Sequence, residues 1–262
     1  MIKMLNVLKN ETIKFINEKK LYIMLGVIFI LVILGVIAYK DMINNVMTGD
    51  ARIETYSQEF ITILQTFSKM FLLDFIYKPY FSIYLIFISI IAVNVFSNDY
   101  KSGNLKFALL TNTTVTQLYL GKVLFMMLVS TIIVSINFIL SLILGQIAFG
   151  GSIPVAELLE VLVLYFISVI PAVAFSLIIS LISLTKLSPN VIIGASIGVI
   201  ILFGIIDTLT KFKYISPIGI LSFFEQGIPS FNISMIISLG MAVIYILLLS
   251  IGLVKVINKV DY

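Results

Sequence analysis

The sequence predicts an all-α integral membrane protein with six transmembrane helices, and three observations predict it. Of the 262 residues, 60% are hydrophobic and only 11% are charged, against roughly 45–50% and 25% in an ordinary soluble domain. Mean hydropathy is +1.16. The charged residues are confined to short stretches between apolar runs of ~20 residues, the length that crosses a bilayer as a helix. A water-soluble core of that size needs a polar skin that this chain lacks.

Six runs meet the length: 21–39, 79–97, 123–147, 161–184, 190–209 and 233–254. None carries Lys, Arg, Asp or Glu in its middle, although Asp207 sits near the end of the fifth. The chain reads as one transmembrane domain over 1–262. The first run begins after a charged helix and ends in Ala38-Tyr39-Lys40-Asp41, with no small-residue cleavage site. It therefore reads as a span and not as a cleaved signal. Tryptophan is absent, so tyrosines near the run ends, such as Tyr22, Tyr39, Tyr80, Tyr119, Tyr214 and Tyr262, serve as interface residues.

Residues 1–20 precede the first span. Met1, Met4, Leu5, Leu8, Thr12, Phe15 and Ile16 recur at helical spacing, with Lys3, Lys9 and Lys14 on other faces. This predicts a basic amphipathic helix lying in the interface beside anionic headgroups. With the N-terminus inside, eleven of the 17 Lys and Arg fall on inside segments. The positive-inside rule then puts both termini in the cytoplasm of a multi-pass cell-membrane protein.

Two of the three outside segments are informative. In 40–78, Phe60 to Leu72 is apolar at helical spacing and reads as a helix on, or leading back into, the outer leaflet. In 211–232, Pro217 and Pro229 interrupt an apolar stretch that includes Phe223 and Phe224. Irregular backbone at membrane depth must be covered by protein or line a cavity. This segment is either a re-entrant element or a loop packed on the outer surface.

Within the spans, small residues recur at four-residue steps: Ser168, Ala172, Ser176 and Ser180; Gly194 and Gly198; Ser234, Ser238 and Ala242. Such stripes usually let helices approach closely. Ser130, Asn137, Ser141 and Gly145 share a stripe on the third span, where Asn137 either joins helices or lines a path. Pro171 removes a backbone donor and should kink the fourth span. Ser188-Pro189 reads as a helix start.

The cytoplasmic loop 98–122 carries the most information. Ser97, Asn98 and Asp99 can cap a helix, Tyr100, Leu105, Phe107 and Leu109 alternate with Lys101 and Lys106, and Thr114-x-x-Gln117 matches a capping box opening the third span. A short helix across the membrane surface results, with an apolar face for a partner or the interface. The loop resembles the coupling-helix region of type-2 ABC transporter permeases. That pattern runs from an acidic residue through Gly-Thr, a Leu pair and Pro-x-Ser-Arg to Gly-Lys. This chain supplies Asp99, Gly103-Asn104, Leu109-Leu110 and Gly121-Lys122, with Asn104 for threonine and Asn112 to Thr116 where proline and arginine would fall. The resemblance implies that Asp99, Tyr100, Gly103, Asn104, Leu105, Leu109, Leu110 and Lys122 couple the spans to an ATPase. It implies an outer gate at Pro217, Phe223, Phe224 and Pro229. Its partners would be two cytoplasmic ATPase subunits holding ATP and Mg, and a second permease chain, usually in a homodimer.

Composition limits the chemistry. Cysteine and histidine are both absent, which removes disulfides, thiol chemistry and the commonest general base and metal ligand. No catalytic residue, metal site or cofactor is expected in this chain, and the basic residues flanking spans argue for topology and not for nucleic acid. No ionisable group at mid-span suits an ion-coupled carrier, and no Gly-x-x-x-x-Gly-Lys-Ser/Thr loop binds nucleotide. The expected function is the permease of an ATP-driven exporter of hydrophobic or amphipathic cargo, with peptide toxins or antimicrobial peptides first and small drugs or lipids second. Asn137, Ser141, Ser176, Gly194 and Gly198 are the candidate path or packing residues. A non-energised channel or assembly factor is the alternative from another class, and an intramembrane enzyme fits poorly.

Overall fold

The computed structural model describes residues 2–48, 67–78, 82–97, 113–150, 155–185, 187–209, 211–223 and 233–259, and no strand occurs among them. The helices are α1 (Ile2–Asn17), α2 (Lys20–Thr48), α3 (Phe67–Phe75), α4 (Ile83–Ala92, running into a π turn at Val93–Ser97), α5 (Val115–Phe149), α6 (Val155–Ile167), α7 (Val169–Ser183), α8 (Pro189–Leu209) and α9 (Ile233–Lys259). Short 3-10 turns at Lys211–Tyr214 and Gly219–Ser222 lie between α8 and α9.

Among the described residues, five helical stretches are long and apolar enough to cross a bilayer: Lys20–Asp41, Val115–Phe149, Leu158–Ser183, Pro189–Leu209 and Ile233–Val256. The second of the six expected spans is different. Its described part, Ile83–Ser97, is ~22 Å of helix at 1.5 Å per residue, short of a hydrocarbon core of ~30 Å. Ser82 sets its start by accepting a hydrogen bond from the Leu85 amide at 3.3 Å, and residues 79–81 lie outside the described residues.

Local chemistry accounts for the other boundaries. Thr114 and Gln117 form a reciprocal capping box at the start of α5. Ser188 Oγ accepts from the Val191 amide at 3.4 Å, and Pro189 opens α8. The fourth expected span breaks between α6 and α7 at Ser168. Pro171 lies four residues after Ile167, where its ring excludes the carbonyl of an unbroken helix. The helix α2 runs on to Thr48, nine residues past the expected end, because no Gly or Pro interrupts Lys40 to Thr48.

The bundle has a centre and a rim. The helices α5, α6 and α7 bury much of their length within the chain, whereas α2 and α9 bury little of theirs. The rim helices turn Ile23, Ile30, Leu34, Leu202, Leu247 and Leu248 outward, each more than half exposed. In water such faces would aggregate; against lipid tails they carry no penalty. Helix directions alternate. Tyr119 near the start of α5 bonds Ser180 near the end of α7, while Ser141 late in α5 meets Tyr165 in α6 at 3.2 Å.

The helix α3 differs from an interfacial anchor. Phe67, Phe71 and Phe75 are buried in a run of ring contacts, Phe67 to Phe71 at 5.6 Å and Phe71 to Phe75 at 5.7 Å. The helix wedges between α2 and α5 because glycines leave room. A Cβ at Gly35 would lie 2.8 Å from Phe71, and one at Gly145 would lie 2.9 Å from Phe67. Tyr39 donates to Asp74 at 2.6 Å and closes the same wedge. Residues 60–66 of the expected helix lie outside the described residues.

Candidate functional site

Three places gather the expected residues. The first is the junction where α1, α4 and α5 meet. Lys122 stands two turns inside α5 and is 2% exposed, and Glu11 on α1 is 6% exposed. The Lys122 ammonium donates to Glu11 Oε1 at 2.9 Å and to the Val95 carbonyl at 2.6 Å. Val95 lies in the last described turn of the α4–π helix. The Phe96 ring also faces the ammonium, 5.9 Å from its centroid. Gly121 explains how α1 comes so close: a Cβ there would sit 2.7 Å from Val7 and 3.0 Å from the Met4 carbonyl. Phe15 packs edge-on against Phe125 at 5.7 Å.

The helical pattern of α1 contained the signal for Glu11. Met4, Leu8, Glu11 and Phe15 share one stripe, so an acid interrupts the apolar face that packs on α5. Leu5, Ile13 and Ile16 instead lie 40–47% exposed, available to lipid. Lys122 was expected to act from the membrane edge with the loop; its side chain is buried beside α1. The other expected coupling residues, Asp99, Tyr100, Gly103, Asn104, Leu105, Leu109 and Leu110, lie outside the described residues.

The second place is a polar seam in the bundle centre. Tyr84 on α4 lies beside Ser130 on α5 and Ser168 at the α6–α7 break, but its hydroxyl reaches hydrogen-bond geometry with neither. Ser130 Oγ and both polar atoms of Asn137 are also unsatisfied among the described residues. Ser141 bonds the Phe138 carbonyl at 3.0 Å, and Tyr165 donates to the Ser68 carbonyl at 3.1 Å. Ser176 donates to the Val173 carbonyl at 2.7 Å, so its hydroxyl is spent within α7 and it serves as a small packing residue. Asn137 does not join helices among the described residues. Replacing it by leucine removes two unmet polar atoms from a buried site, an expected gain of roughly 1–3 kcal/mol. Thermal unfolding in detergent checks this, and a lower midpoint for Asn137→Leu would reveal a hydrogen-bond partner in the native assembly.

The third place is the end of the bundle opposite α1. Residues 216–222 are buried there against α7, α8 and α9. Pro217 is buried, and Phe223 is half-buried with Lys213 over its ring at 5.0 Å and Tyr214 edge-on at 5.5 Å. Ser238 donates to the Lys213 carbonyl at 3.1 Å and ties the cap to α9. Asp207, 1% exposed, lies beside Ser216 and Lys213, yet neither carboxylate oxygen makes a hydrogen bond among the described residues. Burial of 216–222 fits both expected forms of this segment, a re-entrant element and a packed outer loop. Phe224 and Pro229 lie outside the described residues.

Gly194 and Gly198 belong to none of these places. A Cβ at either would meet nothing within 4 Å among the described residues, so their stripe makes no close helix contact among them. Among the described residues no three acidic side chains converge as metal ligands. A search with the sequence finds no matching family model and no similar curated protein.

Proposed function

We propose that this chain is the membrane permease of an ATP-driven ABC exporter, with six spans, both termini in the cytoplasm, and a hydrophobic or amphipathic cargo. The observation that carries the reading is the pair of helices that flank segment 98–112. The segment joins the π turn at Val93–Ser97, where Val95, Phe96 and Ser97 are buried, to α5, whose capped start at Thr114 is exposed and whose Leu118, Tyr119 and Lys122 are buried. A force on that segment therefore passes into two helices packed in the bundle. The pattern from Asp99 to Gly121-Lys122 supplies the resemblance to a coupling helix. Neither ATP chemistry nor an ion-coupled engine has residues in this chain, so the energy source is a separate ATPase in two copies, bound to a pair of permease chains. The seam of sparse hydrogen-bonding groups at Tyr84, Ser130 and Asn137, set among apolar helices, suits amphipathic peptides, and the lipid-facing rim suits entry from the membrane.

The test is the coupling segment. Asp99→Ala and Gly103→Leu are expected to insert normally yet abolish cargo-stimulated ATP hydrolysis by the co-purified ATPase in reconstituted vesicles. Normal export by both variants would overturn the coupling assignment. A deletion strain should show altered susceptibility to a panel of amphipathic peptides, and no change with any peptide would remove peptides as the cargo.

A further inference from the structure

The ion pair between Glu11 and Lys122 is costly as a mere staple. Two charges leave water, and a buried pair often stabilises a fold no better than apolar side chains of similar size. Packing alone would dock α1, through Val7 on Gly121 and Phe15 on Phe125. What the charges add is a direct tie to the π turn. Lys122 grips the Val95 carbonyl, and one residue away Asn94 Oδ1 accepts from the Lys20 ammonium at 3.2 Å. Lys20 opens α2 and also pairs with Glu18 at the end of the α1 elbow. The last helical turn before segment 98–112 is thus bonded to α5, through α5 to α1, and separately to the start of the first span. π turns of this kind recur at functional positions.

We propose that Glu11 and Lys122 are positioning residues that form an electrostatic latch. They make α1 and the start of α2 move with the π turn when segment 98–112 is pushed. This rests on the permease reading above and extends its lever from two helices to four. It gives the N-terminal helix a mechanical part beyond membrane anchoring, and it assigns Lys122 to transmission and not to ATPase contact.

The experiment separates the latch from simple stability. Lys122→Met alone strands the Glu11 carboxylate and Glu11→Leu alone strands the ammonium, and both are expected to lower yield and thermal midpoint. The apolar pair Glu11→Leu/Lys122→Met is expected to restore both. Two readouts are taken on the pair. Hydrogen exchange of 93–97 in detergent should rise, because the Val95 carbonyl has lost its tether. In vesicles with the co-purified ATPase, stimulation by a synthetic amphipathic Leu/Lys peptide should fall to the basal rate, with basal hydrolysis retained. Unchanged exchange at 93–97, or full peptide stimulation in the stable pair, overturns the latch. If the unsubstituted chain retains no ATPase, the permease reading fails and the coupling role with it, while the exchange measurement still decides whether the tie exists.

Discussion

Replacing Gly219 by alanine is expected to unfold the cap over residues 211–223. The new methyl would lie 2.7 Å from the Lys213 carbonyl carbon and 2.9 Å from its Cα, with the carbonyl oxygen closer still. These are main-chain atoms, and they cannot swing aside as a side chain would. The Lys213 carbonyl is also held by Ser238 of α9 at 3.1 Å, and the Phe212 carbonyl accepts from the Ser216 amide at 2.8 Å. Overpacking against side chains typically costs about 1–3 kcal/mol, and a clash with fixed backbone lies at or above the upper end. The absence of cysteine makes the measurement clean. A single cysteine at Leu221, which is 2% exposed, should resist a membrane-impermeant thiol reagent in the parent chain and react once Gly219→Ala is added. Equal labelling rates would show that the cap accommodates the methyl.

The parts of this fold that were legible in the sequence depend on neighbours along the chain. The capping box at Thr114, the start at Pro189 and the break before Pro171 each involve residues within four positions of one another. Helix existence followed from apolar length alone. The parts that were not legible depend on residues far apart. Nothing in Phe67 to Phe75 announces that Gly35 and Gly145 leave space for its rings, so the sequence left open a helix on the outer leaflet or one leading back into it. Gly194 and Gly198 show the converse limit, because a small-residue stripe specifies a face without specifying what covers it. For the candidate site, the loop pattern was legible, but its coupling residues from Asp99 to Leu110 fall outside the described residues. Lys122 was legible as a residue of interest and not as a buried one. Counting from the helix start at Val115 puts it two turns inside α5, and only the presence of α1 makes those turns an interior.

Gly121 offers a test in which the sign of the effect, and not only its size, carries the answer. In an open helix interior, glycine to alanine is worth up to about 1 kcal/mol in favour of alanine, since alanine loses less backbone entropy. Gly198 sits in α8 with nothing within 4 Å of a Cβ, so Gly198→Ala is expected to stabilise the isolated chain by that amount. At Gly121 the same methyl would lie 2.7 Å from Val7 Cβ and 3.0 Å from the Met4 carbonyl, and the clash should outweigh the propensity gain. Gly121→Ala is therefore expected to destabilise by about 1–3 kcal/mol, because α1 must lift and loosen the geometry that brings Glu11 to Lys122. Trimming the facing side chain in Gly121→Ala/Val7→Gly should recover only part of the loss, since the Met4 carbonyl remains and glycine weakens α1. Thermal unfolding of the four chains in detergent gives the coupling between positions 7 and 121 directly. A stabilising Gly121→Ala would mean that α1 does not rest on α5 at this glycine. A destabilising Gly198→Ala, with loss of a chemically cross-linked dimer, would place a second copy of the chain on the open face of α8.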